Sequence, residues 1–194
     1  MLSDADGHAS IIYWGSYLKP ETKLYRNGEL VSSSELFGWR GDVPAEAGDY
    51  RLESSVTGGF GGLSTEVKSV FTFRSAHTDP KRPTKLPLTA VRYTPMLDGN
   101  NAAPAGKALT IPVTVQRQPG APAPAVKALT VEVSYDDGRT WRPATLKRAA
   151  GTTWTATVTH PSVAGFASLR ARSTDTAGNS VDQTIIRAYR TSNR

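Results

Sequence analysis

The chain has 194 residues, of which 38% are hydrophobic and 21% charged, and a net charge of +6. This is the composition of a folded globular protein rather than a disordered one, and the length suffices for two domains of ordinary size. With no cysteine, disulfides, thiolate metal sites and a cysteine nucleophile are all excluded. No apolar run approaches the roughly 20 residues of a membrane helix, so membrane insertion is not expected.

The first residues, Met1-Leu-Ser-Asp-Ala-Asp-Gly-His8, are polar and acidic. They lack the basic start and apolar core of a signal peptide, so a secretion signal is expected outside this chain. Ile11 to Leu18 is aromatic and β-prone. Lys23–Arg26 and Glu29–Val31 flank Asn27-Gly28, a strong short hairpin signal. In the segment from Asp49 to Val56, Tyr50, Leu52 and Val56 fall on one face. Gly58 to Gly62 is too glycine-rich for a strand. From Ser64 to Arg74 a long strand is expected, with Val67, Phe71 and Phe73 inward. Residues 75–86 hold two prolines and several like charges and read as a linker.

Charge changes across that linker. Residues 1–85 carry 10 Lys/Arg against 11 Asp/Glu, whereas residues 86–194 carry 13 against 6. The asymmetry places a domain boundary near 80–86 and points the second half towards an anionic partner. Seven strands are expected there: 86–93, 108–117, 129–135, 141–147, 154–158, 167–173 and 184–190. Leu109, Ile111, Val113 and Val115 alternate inward in the second of them, and Leu129, Val131, Val133 and Tyr135 share a face in the third. Trp141, Trp154 and Tyr189 join Tyr135 as expected inward aromatics. Short strands separated by turn signals predict an all-β chain of two immunoglobulin/fibronectin-like β-sandwiches in tandem, residues 1–80 and 86–194. The first of them is expected to lack strands supplied upstream, which would leave an exposed edge prone to association.

The most ordered local pattern is Ser134-x-Asp136-x-Gly138-x-Thr140-Trp141. Asp136 can accept hydrogen bonds from nearby backbone N–H groups, Gly138 tolerates positive φ, and Trp141 is large enough to cover the end of a small core. The spacing resembles the Asp-box hairpin of sialidases and other secreted β-proteins, where it is a fold element. A structural turn is therefore expected. Chemistry is hard to find elsewhere. His8, His77 and His160 are scattered, and there is no zincin pair, no Gly-x-Ser-x-Gly elbow and no phosphate-binding glycine loop. Asp175, Asn179 and Asp182 offer oxygen ligands for calcium, but a loop with so few carboxylates is a weak site, and capping of the loop backbone is preferred. Tyr13, Trp14, Tyr17 and Trp39 could stack on sugar rings, although core packing is the commoner role. Arg142, Lys147, Arg148, Arg170, Arg172, Arg187 and Arg190 could form an anion-binding face, the alternative being the solvated side of a sheet. Nucleic acid is not expected, for want of a reader helix or a long basic run.

Two runs, Leu129 to Pro143 and Leu169 to Asn179, together with Thr184-Ile-Ile-Arg-Ala-Tyr189, resemble the C-terminal region of large secreted bacterial subtilisin-like serine peptidases. Leu24 to Gly28, Gly48 to Leu52, Ser64 to Val67, Phe71 to Ser75 and Val113 to Pro119 are similar to the β-domain before it. The Asp, His-Gly-Thr-His and Gly-Thr-Ser settings of those peptidases are absent. The resemblance thus implies a non-catalytic accessory module with no cofactor, secreted, whose partner is a peptidase domain of the same or a neighbouring chain. Anionic wall polymers or polysaccharide are further expected partners, and carbohydrate or cell-wall binding is the alternative function.

Overall fold

The computed structural model describes residues 18–36, 42–58, 61–79 and 81–193. Among them there is no helix. The first half forms β1 (Lys19–Arg26), β2 (Glu29–Ser34), β3 (Gly48–Thr57) and β4 (Glu66–Ser75). Asn27 and Gly28 both take positive φ, 51° and 89°, which is the geometry that closes a two-residue hairpin without splaying its strands. Asn27 then ties the hairpin to β3, its Oδ1 accepting the Asp49 N–H at 3.0 Å. Alternation sets the register of the next pair. Tyr50 faces Phe73, Leu52 faces Phe71 and Val56 faces Val67, so the expected inward residues lie opposite one another. Tyr50 and Phe73 stack at 5.6 Å and, with Leu24, form a small buried cluster.

The second half runs β5 (Thr89–Tyr93), β6 (Ala102–Pro104), β7 (Ala108–Arg117), β8 (Val126–Ser134), β9 (Arg142–Pro143), β10 (Thr145–Ala150), β11 (Thr153–Thr159), β12 (Gly165–Asp175) and β13 (Ser180–Ser192). Two sheets result. One has four strands in the order β10-β11-β7-β5. The other has nine, in the order β2-β1-β3-β4-β13-β12-β8-β9, with β6 pairing parallel to β13. Between them Val91, Ile111, Val113, Ala156 and Val158 pack against Val131, Val133, Leu169, Ala171, Val181 and Tyr189, all buried. The all-β reading therefore holds, and the second half is a β-sandwich.

The two halves share the larger sheet. β4 pairs antiparallel with β13 from Thr72↔Ser180 to Glu66↔Ile186. Phe71 packs against both buried clusters. Residues 76–79 and 81–88, between β4 and β5, contain no strand. Among the described residues β2 is an edge strand, with Leu30 55% and Val31 39% exposed.

Three strand expectations need correction. The strand expected over 86–93 starts only at Thr89, because Leu86 and Leu88 close a tight turn through their own backbone. The strand expected over 141–147 is two strands in different sheets. β9 pairs with β8 and β10 pairs with β11, and the chain passes from one sheet to the other after Ala144, whose N–H still donates to the Val131 carbonyl of β8 at 2.9 Å. β6 was not expected, since Ala-Ala-Pro carries no alternation.

Candidate functional site

The turn after β8 is closed by its own side chains. Ser134 is 1% exposed. Its hydroxyl donates to Asp136 Oδ1 at 2.7 Å and accepts the Gly138 N–H at 2.9 Å. Asp136 Oδ1 also accepts the Thr140 N–H at 2.9 Å, and Oδ2 accepts the Thr140 hydroxyl at 2.6 Å. Accepting bonds favours the ionised carboxylate, so the Thr140 and Ser134 donors lower the Asp136 pKa to about 2. Asp137 and Gly138 take φ values of 57° and 84°. A Cβ on Gly138 would meet Ile186 Cδ1 at 3.0 Å and the Trp141 ring at 3.3 Å, so glycine is required twice over.

Trp141 corrects an expectation. It lies outside the sandwich core, half-buried against Gly138, with the Arg170 guanidinium 4.6 Å from its ring centre. Arg170 also holds Glu132 at 2.7 Å. β9 begins only at Arg142, so Trp141 lies just outside the ladder. Tyr135 also stands apart from the fully buried set, whereas Trp154 and Tyr189 are buried as expected.

Sequence reading missed the bulge beside this turn. Ala167 faces Tyr189 but Leu169 faces Ile185, so Ile186, Arg187 and Ala188 stand opposite Ser168 alone. Arg187 takes φ 56°, a left-handed conformation that costs a non-glycine residue on the order of 1–2 kcal/mol. Its surroundings hold it there. The Arg187 N–H donates to Ser168 Oγ at 2.9 Å, and its guanidinium grips Asp137 through two bonds of 2.9 and 2.7 Å. It also lies 4.6 Å from the Phe166 ring centre. The Arg187 carbonyl accepts the Ser64 N–H, itself at positive φ, so the bulge joins the turn to the start of β4. The Arg187 bonds lower the Asp137 pKa.

The basic residues do not form one face. Arg142, Arg170, Arg172, Arg187 and Arg190 belong to the large sheet, whereas Lys147 and Arg148 lie on β10 of the other. Arg170 and Arg187 are paired with carboxylates, and Arg190 bonds the Gly61 carbonyl. The exposed positive surface is therefore smaller than the sequence count.

The calcium candidates do not assemble. Asp175 is buried, and its carboxylate accepts the Ala177 and Asn179 N–H groups at 2.9 Å and the Asn179 side-chain amide at 2.8 Å. Asp182 lies further down the hairpin, opposite Arg172. Among the described residues no three His, Cys, Asp or Glu cluster to hold a metal ion. The aromatic candidates Tyr13, Trp14, Tyr17 and Trp39 lie outside the described residues.

His160 is buried at the end of β11, edge-on to Tyr135 and Tyr189. Its Nδ1 lies 3.0 Å from the Tyr135 hydroxyl, which donates to the Thr159 carbonyl at 3.0 Å. With that proton committed, Nδ1–H is the donor to the Tyr135 oxygen and Nε2 is an unpartnered lone pair. Burial lowers the His160 pKa, and burial raises that of Tyr135 to about 12. Neither group is an exposed base or nucleophile.

A cleft of about 570 Å³ runs beside β5, between the sheets. Tyr93, Gln116, Gln183, Ile185 and Tyr189 contribute to its walls.

Two sheets, antiparallel except for the short β6, packed over an apolar core with aromatic and turn chemistry at their ends, define an immunoglobulin-like β-sandwich protein. No protein-family model and no curated protein matches the chain. Among solved structures it is similar to a chimeric titin Z1Z2-Z1Z2 tandem functionalized with a GRGDS exogenous peptide from fibronectin, at 17% identity and a TM-score of 0.29. That match covers 91% of this chain and 85% of the other. The assignment to the fold class rests on the strands and their packing. Among the described residues no helix is long and apolar enough to cross a membrane.

Proposed function

We propose that the chain is a non-catalytic accessory module of a secreted bacterial subtilisin-like serine peptidase, acting beside a peptidase domain of the same or a neighbouring chain. The observation that carries this reading is the nine-stranded sheet. It makes one body of both halves, suited to holding a catalytic domain away from a surface or to presenting a substrate. Among the described residues its β2 edge has no further strand beside it, which suits that edge to a neighbouring domain. The polar residues that drew attention in the sequence are engaged in closing a turn, a bulge and a loop. The sequence resemblance supplies the peptidase context. Excess positive charge in residues 86–194 supports attraction to anionic wall polymers outside the cell.

The test is a casein-hydrolysis assay on the purified chain, paired with a pull-down on insoluble wall polymers at low and high salt. No turnover is expected, and retention is expected to fade as salt screens the charge. Turnover that survives repurification and disappears on a single serine or histidine substitution would refute the non-catalytic reading.

A further inference from the structure

We infer that Arg187 is a conformational latch between the two halves. It couples the turn of residues 134–141 to the loop of residues 61–65, so that a partner seated on either segment is felt at the other. This device is independent of the accessory role. Among the described residues no hydrogen bond joins the two segments directly, and each is tied to Arg187 by a different group. The guanidinium holds Asp137 of the turn at 2.9 and 2.7 Å. The carbonyl holds the Ser64 N–H of the loop at 2.9 Å. The N–H is anchored on Ser168 Oγ of β12 at 2.9 Å, which fixes the residue that does both. Next to it the Ile186 carbonyl accepts the Thr65 N–H at 3.1 Å, and Arg190 bonds the Gly61 carbonyl. The Phe166 ring lies against both arginines, 4.6 Å from the Arg187 guanidinium and 5.6 Å from that of Arg190.

Backbone strain makes this a latch rather than a fixed joint. Among the described residues five that are not glycine take positive φ, and three of them, Ser64 at 47°, Asp137 at 57° and Arg187 at 56°, are linked here in one chain of hydrogen bonds. Such conformations persist only where their surroundings over-determine them. The place in the fold is also a junction. β13 pairs with β4 as far as Ile186 and with β6 from Arg190, so Arg187 stands where the strand changes neighbours. Rotation of Arg187 to negative φ relieves its strain. The same rotation about N–Cα re-aims the carbonyl and the side chain together, because both lie beyond that bond. Ser64 and Asp137 are then released in one step. Arg187 is thus the two-state element that both segments bias, as coupling between distant segments requires.

The experiment follows amide hydrogen exchange by NMR in the full chain. Asp137→Asn, at an exposed position, removes the charge that grips Arg187. Exchange of the Ser64 and Thr65 amides, in the other half of the molecule, should rise about fivefold or more. Thr140→Val is the control for general loosening. It removes the hydroxyl bond to Asp136 and leaves the Asp137–Arg187 pair intact, so it should speed exchange at Thr140 and leave Ser64 and Thr65 unchanged. Arg187→Gly keeps the positive φ of the bulge without a guanidinium. In that background Asp137→Asn should have no further effect on Ser64 or Thr65. Exchange at Ser64 and Thr65 that is unchanged by Asp137→Asn, that is accelerated equally by Thr140→Val, or that still responds to Asp137→Asn in the Arg187→Gly background would overturn the inference.

Discussion

Replacing Ser134 with alanine should be among the most damaging single-atom deletions in the chain. The hydroxyl is 1% exposed and serves three partners: it donates to Asp136 Oδ1 at 2.7 Å and accepts the N–H groups of Gly138 at 2.9 Å and Asp136 at 3.3 Å. Its loss strands at least the Gly138 N–H where water has little access, at about 1–3 kcal/mol, and removes a bond to a charged acceptor worth roughly the same. The Asp136 carboxylate keeps its Thr140 donors, so part of the turn survives. A net loss of about 3 kcal/mol follows, or about 6–12 °C in melting temperature for a protein of this size. Thermal unfolding followed by near-UV circular dichroism measures it. Ser33→Ala, exposed on β2, should shift the midpoint hardly at all and serves as the reference. A Ser134→Ala protein that melts within about a degree of that reference would show that the side-chain bonds do not hold the turn, and the reasoning fails.

Trp141→Ala should cost less than Ser134→Ala, about 1–2 kcal/mol, because a half-exposed ring loses partial burial and one cation–π contact rather than a core anchor. A loss of about 3–5 kcal/mol by denaturant unfolding would return Trp141 to the core. Asp136 should titrate near pH 2 by NMR, and because its folded pKa is depressed, its contribution is present above the unfolded value and is lost as pH falls through about 2. A midpoint at the ordinary carboxylate value would contradict the hydrogen-bonded turn. His160 is held neutral, so the unfolded chain takes up a proton first; stability should be full above about pH 6.5 and decline as pH drops below it, towards the depressed folded value. Melting temperatures that stay flat from pH 7.5 to 5, or the same slope in a His160→Asn variant, would refute the buried neutral imidazole.

The parts of the fold governed by local pattern were legible. Ile111, Val113 and Val115 alternate so regularly that β7 spans the expected 108–117, and Asn27-Gly28 allowed only one kind of turn. Tyr50, Leu52, Phe71 and Phe73 announced both their strands and their faces. Parts that depend on distant chain were not legible. Nothing in the composition of β13 says that β4 will be its neighbour, because that pairing joins residues on either side of a proline-rich linker. Arginine has no preference for positive φ, so the bulge at Arg187 exists only because Ser168 and Asp137 meet it from other elements. Trp141 was misread for a related reason. A tryptophan after a turn can face inward or outward, and here it lies against Gly138 and the Arg170 guanidinium, neither of which is legible beside it in the sequence as a packing partner. The cleft draws its walls from β5, β7, β13 and the loop at Ser64, which no window of sequence contains.

The shared sheet is tested most directly by cutting the chain between its halves. A site-specific protease sequence inserted between Lys81 and Arg82, in the exposed stretch without a strand, lets the backbone be nicked after folding. The ten-residue β4 stays hydrogen-bonded to β13, and Phe71 stays packed between the two clusters. The nicked halves should therefore co-elute on size exclusion at the volume of the intact chain and separate only in denaturant. Slow amide exchange should persist along β13 from Ser180 to Ile186. Two halves that elute apart in native buffer, each with its own cooperative melt, would contradict the single sheet and reduce the molecule to independent domains on a tether.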